Sequence, residues 1–337
     1  MDKILVISNH NGEDYTDIAF SFYRAFKAVG KIVLTYDLNP KIKSRLLNKV
    51  LKTLNMDSLT ILKINEELVR FLSSNFFDLI FVVKGTYLLP ETIDKIKNIN
   101  HKMKIICFNP DDPFNEQSSN VLIANSISHY DYYLMWSEKL RQNIQKKYHI
   151  KTIYLPFAVD AEIIYALENT TKEITVSFIG NGDKYRNLWL TQLDNLVDKK
   201  IPNLSFHIYG DRWQTFRAIR RHRQVNGVKF LEIFNQTKIN LNILRLQNKN
   251  SINMRTFEIP GTRSFMLHEY SEEAMEFFKP GIEAEYFKDS GELVDKIIFY
   301  LSHENARIKI AQEGYNRVLN SNYNYKFLFK NLLKNLE

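Results

Sequence analysis

Short apolar runs alternate with longer amphipathic stretches along the chain, and this alternation constrains the fold most. Apolar runs of a few residues bounded by turn residues are typical of buried strands, whereas apolar residues at a spacing of three to four are typical of helices. Strands separated by helices predict βαβ crossovers and parallel sheets. In the first half, strands are predicted at Ile4–Ser8, Ile32–Tyr36, Leu79–Val83, Ile105–Phe108, Tyr132–Met135 and Thr152–Leu155.

A second series of the same kind follows a polar segment, Glu168–Glu173. We therefore predict an N-terminal domain at 1–156, a C-terminal domain at 157–322, and a final helix at 323–337 that packs back on the first domain. The predicted fold class is α/β, with two Rossmann-like doubly wound domains facing a cleft at the carboxyl ends of their strands. The strands of the second series are predicted at Ile174–Ile179, Leu204–Tyr209, Ile239–Leu244, Phe265–Leu267 and Ala284–Phe287.

Length and composition agree with a two-domain globular protein. The chain has 337 residues, and no run approaches the roughly 18 apolar residues that span a bilayer. The first apolar run is too short for a signal-peptide core, so we expect a cytoplasmic protein. A net charge of +8 is compatible with a phosphate-bearing substrate, an anionic membrane surface or another polyanion, or with scattered solvated lysines. The single cysteine, Cys107, is expected to be a buried thiol.

The segment Asn253–Gly261 combines ionic side chains with a predicted helix start between two apolar strands. Helix-terminal N–H groups and Arg255 are suited to phosphate, and the Glu258 carboxylate is suited to ribose hydroxyls. Asn242 and Arg245, just upstream, add polar groups to the same region. Arg255 and Glu258 are also three residues apart, so a surface ion pair is the alternative interpretation.

A second candidate anion site is the turn from Gly180 to Arg186, which links an apolar strand to a predicted helix. Glycines allow close approach of the backbone to a ligand, and Lys184 and Arg186 would neutralise phosphate. The turn matches neither the G-x-G-x-x-G fingerprint nor the P-loop. An ordinary strand-to-helix turn that binds nothing remains the alternative.

In the first domain, His10 and Asp112 are the catalytic candidates, because each follows a predicted strand. Either side chain could orient or deprotonate a substrate hydroxyl. The alternatives are an exposed loop histidine and a turn in which an aspartate precedes proline.

The basic run from Arg212 to Arg223, taken as a helix, would place Arg217, Arg220 and Arg221 on one side, facing either an anionic partner or solvent.

No catalytic metal is expected. A catalytic divalent ion is commonly held by an Asp-x-Asp pair. Asp131 is followed at the second position by Tyr133, and Asp111 and Asp112 are adjacent.

Several short motifs, occurring in one order, resemble the C-terminal domain of CgeB-like (spore maturation protein) glycosyltransferases over roughly residues 155–330. The first are Val176–Gly180 with Arg186, Tyr209-Gly210 with Trp213, Leu241–Ile243, Met254–Glu258 and Phe265–Leu267. They continue with Phe278–Ala284, Tyr286–Asp289, Glu292-Leu293, Tyr300-Leu301 and Ile310–Gly314.

The resemblance implies a GT-B fold in which the second domain holds a nucleotide-sugar. Glu258 would accept hydrogen bonds from ribose, Arg186 and Arg255 would contact the diphosphate, and the backbone near Gly261 would lie close to it. Related retaining enzymes often carry a glutamate eight positions before the ribose-binding one, where this chain has Asn250. The expected donor-binding set is Gly180, Arg186, Asn242, Arg245, Asn253, Arg255, Glu258 and Gly261.

The sequence therefore predicts a glycosyltransferase that moves a sugar from UDP or a similar nucleoside diphosphate to a saccharide, lipid-linked saccharide or protein of the cell envelope. Transfer would be metal-independent and retaining, and the nucleotide-sugar would be a co-substrate without any further cofactor. An anionic membrane is a further candidate partner, and nucleic acid is disfavoured. The alternatives are a GT-B isomerase or hydrolase of nucleotide-sugars, and a non-catalytic basic binding module.

Overall fold

A computed structural model of the chain describes residues 1–9, 17–39, 57–116, 118–168, 170–202 and 204–336. Its contacts divide the chain into two compact units. Unit 1 comprises Met1–Pro156 and Phe329–Glu337, and unit 2 comprises Phe157–Leu328.

The described part of unit 1 contains a parallel sheet with the strand order β2-β1-β3-β4-β5-β6. Its strands are β1 Lys3–Ser8, β2 Ile32–Asp37, β3 Leu79–Val83, β4 Lys104–Asn109, β5 Tyr132–Met135 and β6 Thr152–Tyr154. The helices between them are α1 Ile18–Ala28, α2 Asp57–Ser73, α3 Pro90–Ile99, α4 Val121–Ser126 and α5 Glu138–Tyr148, with a 3-10 turn at Ile127–His129.

The core of unit 1 follows from its central strands, which are mainly apolar. Every residue of β3 is buried, as expected for a parallel strand covered on both faces. Phe22, Phe26 and Phe81 pack around Phe329 with ring centroids 4.5–5.5 Å apart. Cys107 is buried in β4, which confirms the predicted buried thiol, and burial raises its pKa.

Unit 2 contains a second parallel sheet, with the order β12-β11-β10-β7-β8-β9 among the described residues. Its strands are β7 Ile174–Ile179, β8 Phe206–Tyr209, β9 Ile219–His222, β10 Thr237–Asn242, β11 Met266–Glu269 and β12 Glu285–Phe287. The helices are α6 Lys184–Lys200, α7 Val228–Gln236, α8 Arg255–Gly261, α9 Glu272–Phe277, α10 Ser290–Ser302, α11 Glu304–Asn320 and α12 Tyr325–Leu336. A 3-10 turn lies at Leu246–Asn248, and the last helix, α12, continues into unit 1. The two predicted parallel sheets are thus confirmed.

The helix considered for the basic run is wrong, because Ile219–His222 forms the edge strand β9. The start of β9 is held by the buried Asp194 of α6, which accepts backbone hydrogen bonds at 2.8–3.1 Å from Arg217, Ala218 and Ile219. Charged side chains on an edge strand also discourage pairing with another chain. Within the described residues, no helix is long and apolar enough to span a membrane.

Candidate active site

The order of the strands in unit 2 creates a switch point between β7 and β10. From β7 the chain proceeds to β8 and β9 on one side, and then returns to β10 on the other. Open α/β sheets bind ligands outside the carboxyl ends of the strands at such a point. The loops after β7 and β10, together with the helices that these loops lead into, carry most of the predicted donor-binding residues.

The glycine turn after β7 packs tightly against the turn after β8. A Cβ atom on Gly210, whose φ is +145°, would lie 2.2 Å from the carbonyl oxygen of Gly180. A Cβ on Gly182 would lie 2.4 Å from the carbonyl oxygen of Arg212. Close packing of the two turns therefore explains these glycines without a ligand.

Arg186 lies in the first turn of α6, and its side chain points under the loop that follows β10. Its Nε and Nη2 donate to the carbonyl oxygen of Ile243 at 3.0 and 2.8 Å, and Nη1 donates to that of Asn181 at 3.1 Å. Burial and repulsion from Arg245 and Arg255 lower its pKa to about 9, although Asp183 and Glu269 partly offset the repulsion. A buried cation that interacts mainly with neutral carbonyls favours a nearby anion.

Arg245 and Arg255 complete a cluster of three cations with Arg186. The Nε of Arg245 is 3.9 Å from Asp183, and its side chain is 37% exposed. Arg255 donates through Nε to the carbonyl oxygen of Ile179 at 3.2 Å, and through Nη1 to Glu258. The cluster therefore joins groups from the loops after both β7 and β10.

Glu258 lies in α8 and pairs with Arg255, but the pair is not the surface pair considered above. The Glu258 side chain is only 8% exposed, and its Oε2 accepts from Arg255. A carboxylate has about four acceptor positions, so the pair leaves capacity for ribose hydroxyls. The ribose role of Glu258 stays a prediction.

Asn242 and Asn253 bond to each other through their side chains, and their donor-binding role stays a prediction. Their amides exchange hydrogen bonds at 2.8 and 3.0 Å, and Asn253 Oδ1 also accepts from the N–H of Thr256 at 3.1 Å. That N–H near the start of α8 is therefore already satisfied. Likewise, Asp183 caps α6 by accepting from the N–H of Arg186 at 2.9 Å. The arginines, rather than the N–H groups of Thr256 and Arg186, are suited to a diphosphate.

The buried His268 extends this network. Its Nε2 lies 3.0 Å from the Thr256 hydroxyl, and its Nδ1 lies 2.5 Å from the carbonyl oxygen of Glu269. Burial lowers the pKa of His268 to about 4. The ring is therefore neutral in the folded protein at neutral pH.

The lowered pKa of His268 makes a pH-dependent prediction. The unfolded chain binds a proton near pH 6.5 and the folded chain only near pH 4, so this contribution to stability is complete above pH 6.5 and is lost as the pH falls toward 4. Between pH 6.5 and 4, we expect the unfolding free energy of His268→Gln to fall by about 3 kcal/mol less than that of the wild type. Urea unfolding of both proteins from pH 7.5 to 4.5 measures the difference. Parallel pH profiles would contradict the assignment.

Glu269 is a buried carboxylate that the sequence analysis missed. It accepts from Tyr185 through Oε1 and from the backbone N–H of Leu244 through Oε2, the latter at 2.9 Å. Burial raises the pKa of Glu269, while burial and the bond to Glu269 raise the pKa of Tyr185 to about 12. The predicted strand ended at Leu267, whereas β11 extends to Glu269. A strand predicted to its full length would have placed Glu269 at the carboxyl end of the sheet, where ligands bind.

Gly261 ends α8, where a Cβ atom would meet the side chains of Val159 at 3.0 Å and Ile164 at 3.2 Å. This packing accounts for the glycine, and its donor-binding role stays a prediction. Asn250 is exposed and has a φ of +60°. It donates to Glu272 at 3.0 Å and accepts from that residue's N–H at 2.8 Å.

The two catalytic candidates of unit 1 have different outcomes. His10 lies outside the described residues. Asp112 accepts from the N–H of Phe114 at 2.8 Å, as in the turn considered for it, and burial followed by the charge of Asp111 raises its pKa. Asp111 itself pairs with Lys84 at 2.6 Å. The base role of Asp112 stays a prediction.

Within the described ranges, no group of three or more His, Cys, Asp and Glu side chains could hold a metal ion. The expected independence from metal also stays a prediction.

A family model matches part of unit 2 and the end of the chain. Residues 186–334 match the family model described as "Glycosyl transferase-like". Over these residues, which are less than half of the chain, the protein is similar to glycosyl transferase-like domains. The narrower CgeB-like assignment stays a prediction. Comparison with curated protein sequences gave no match.

Solved structures give the fold of the whole chain. Sucrose-phosphate synthase from Thermosynechococcus elongatus is similar with a TM-score of 0.72 and 11% identity, covering 100% of this chain and 99% of that one. Anabaena HepE in complex with UDP-glucose is similar with a TM-score of 0.68 and 9% identity, and the match covers 99% of both chains. A glycosyltransferase from Rickettsia africae is similar with a TM-score of 0.67 and 11% identity, and the match covers 99% of this chain and 97% of that one. The predicted GT-B fold is confirmed.

Proposed function

We propose that the chain transfers a sugar from a nucleoside diphosphate-sugar to a hydroxyl group of a saccharide, a lipid-linked saccharide or a protein. The observation that carries the proposal is the cation cluster at the switch point of unit 2. Arg186, Arg245 and Arg255 gather there, and the pKa of the buried Arg186 is lowered to about 9. A bound diphosphate would place anionic oxygens beside Arg186, whose hydrogen bonds go to carbonyl oxygens, and beside Arg245, whose nearest carboxylate oxygen is 3.9 Å away.

The same cluster suits the chemistry of sugar transfer. When the bond between the sugar and the diphosphate breaks, negative charge develops on the leaving phosphate, and fixed cations stabilise that charge. In this proposal Arg245 and Arg255 contact the diphosphate, Arg186 adds charge from beneath, and Glu258 accepts from ribose. The arginines would fulfil the task without a metal ion.

UDP is the first nucleotide to test, because HepE was solved with UDP-glucose. Retention of the anomeric configuration, a cell-envelope acceptor and a cytoplasmic location are part of the proposal and rest on the sequence alone. The acceptor-side base in the proposal is Asp112, whose raised pKa suits a group that takes up a proton.

Product analysis tests the proposed reaction. The enzyme is incubated with a panel of nucleotide-sugars, with and without saccharide acceptors, and the products are separated by chromatography and examined by NMR. We expect release of the nucleoside diphosphate to depend on the acceptor, and a new glycosidic bond to form. Equal consumption of the donor without any acceptor would instead indicate a hydrolase or an isomerase.

A further inference from the structure

Unit 1 contains a second basic site, separate from the proposed donor site of unit 2. It is a pocket of about 600 Å³ at the amino-terminal ends of β4, β5 and β6, where three loops converge. This volume is within the range of small-ligand sites. Six basic side chains line it: Lys97, His101, Lys102, Lys104, His149 and Lys151.

Asp131 is the one carboxylate among the residues that line this pocket, and both of its oxygens are engaged. Oδ1 pairs with Lys97 at 2.9 Å, and Oδ2 accepts from the backbone N–H of Ile105 at 2.7 Å. In the described part of the chain, no carboxylate pairs with Lys102 or Lys151, and both side chains are exposed. The lining therefore carries an excess of positive charge.

Helix dipoles explain only part of this charge. α3 and α5 both end beside the pocket, and helix C-termini attract cations within the last turn. Lys97 occupies the last turn of α3. Lys102, Lys104 and Lys151 lie beyond the helix ends, in loops or at a strand start, so the dipoles do not account for them.

The ring of Tyr132 holds two of these cations together. The Nζ atoms of Lys104 and Lys151 lie 6.0 and 5.6 Å from its centroid. Cation–π contacts of this kind keep ammonium groups near one another despite their repulsion. The Nζ of Lys104 also donates to the carbonyl oxygen of Leu336 in α12. The arrangement is therefore anchored to the fold.

We propose that this pocket binds a phosphate-bearing ligand. Ammonium groups around a concave, polar surface match the charge and the acceptor oxygens of phosphate. The pocket lies at the amino-terminal ends of the strands, whereas Lys84 and Asp112 follow the carboxyl ends of β3 and β4. It is therefore distinct from the predicted acceptor side of unit 1.

Calorimetric titration with inorganic pyrophosphate tests the site. The reference protein carries Arg245→Gln, which weakens the proposed donor site. It is compared with a protein that carries Lys102→Glu and Lys151→Glu in addition. We expect the two reversals to weaken pyrophosphate binding by at least about tenfold, and added salt to weaken binding to the unreversed protein. The control reversals, Lys139→Glu and Lys146→Glu, change the same charge at exposed positions of unit 1 outside the pocket.

Vesicle sedimentation distinguishes the source of the phosphate. Wild-type protein and both double reversals are mixed with phosphatidylcholine vesicles, with or without phosphatidylglycerol. Binding that needs phosphatidylglycerol, Lys102 and Lys151 supports a lipid headgroup, and pyrophosphate binding alone supports a soluble phosphate ester. The proposal is overturned if neither probe binds, or if the pocket reversals match the controls. Either result leaves the donor site of unit 2 untouched.

Discussion

Glu258→Gln is expected to weaken the binding of a nucleoside diphosphate by about 10- to 150-fold. A hydrogen bond to a charged group contributes about 1.5–3 kcal/mol, and the variant replaces a carboxylate that would accept from ribose. The amide retains an oxygen that can accept from Arg255, so we expect the fold to persist. Isothermal titration with UDP, GDP and related diphosphates measures the loss.

Two comparisons make this result specific to ribose. Loss of the ribose hydroxyls in a 2′,3′-dideoxy nucleotide should remove most of the difference between wild type and Glu258→Gln. Glu304→Gln is the matched control, because Glu304 also pairs with an arginine three residues away, at 2.8 Å, in another helix of unit 2. An equal loss of affinity for both nucleotides, or in both variants, would remove the ribose role from Glu258.

Arg245→Gln is expected to weaken nucleoside diphosphate binding by about 10- to 100-fold, because a charge-assisted contact to phosphate is lost. The Arg245 side chain is 37% exposed, and its nearest carboxylate oxygen lies 3.9 Å away, so the substitution removes little from the fold. The affinity for the matching nucleoside, which has no phosphate, should stay unchanged. Titration with both ligands separates the diphosphate role from the ribose role.

Arg263→Gln provides the control for Arg245→Gln. The Arg263 side chain is equally exposed, at 37%, and pairs with Glu168 at 3.2 Å in the same unit. It carries the same charge but lies at the amino-terminal start of β11 rather than at the switch point. A comparable loss of affinity in this variant would show that net charge, and not the position of Arg245, governs binding.

The regular parts of the fold were predictable because their hydrophobic pattern matches their burial. β3 and β7 are apolar runs buried along most of their length, and both were predicted with the bounds that the structure gives. β9 was missed because its sequence, Ile-Arg-Arg-His, has only one buried residue. Its position depends on backbone hydrogen bonds that Arg217 and Ala218 donate to Asp194 of a distant helix, which no local pattern reveals.

The candidate site was predictable as a region but not in its internal arrangement. The sequence drew attention to the loops after β7 and β10, but the order of strands that makes them neighbours is a tertiary property. Asn242 and Asn253 appear suited to a ligand in the sequence, yet they bond to each other, since buried amides need partners. Glu269 was missed because its burial depends on packing beyond the strand pattern.

A crystal structure with a nucleoside diphosphate bound tests the central claim most directly. UDP is the first ligand, followed by the diphosphate that binds most tightly in titration. The proposed function predicts the diphosphate within hydrogen-bond distance of Arg245 or Arg255, and the ribose hydroxyls at Glu258. A nucleotide bound elsewhere in the chain, with the switch point of unit 2 vacant at saturating ligand, would contradict the account.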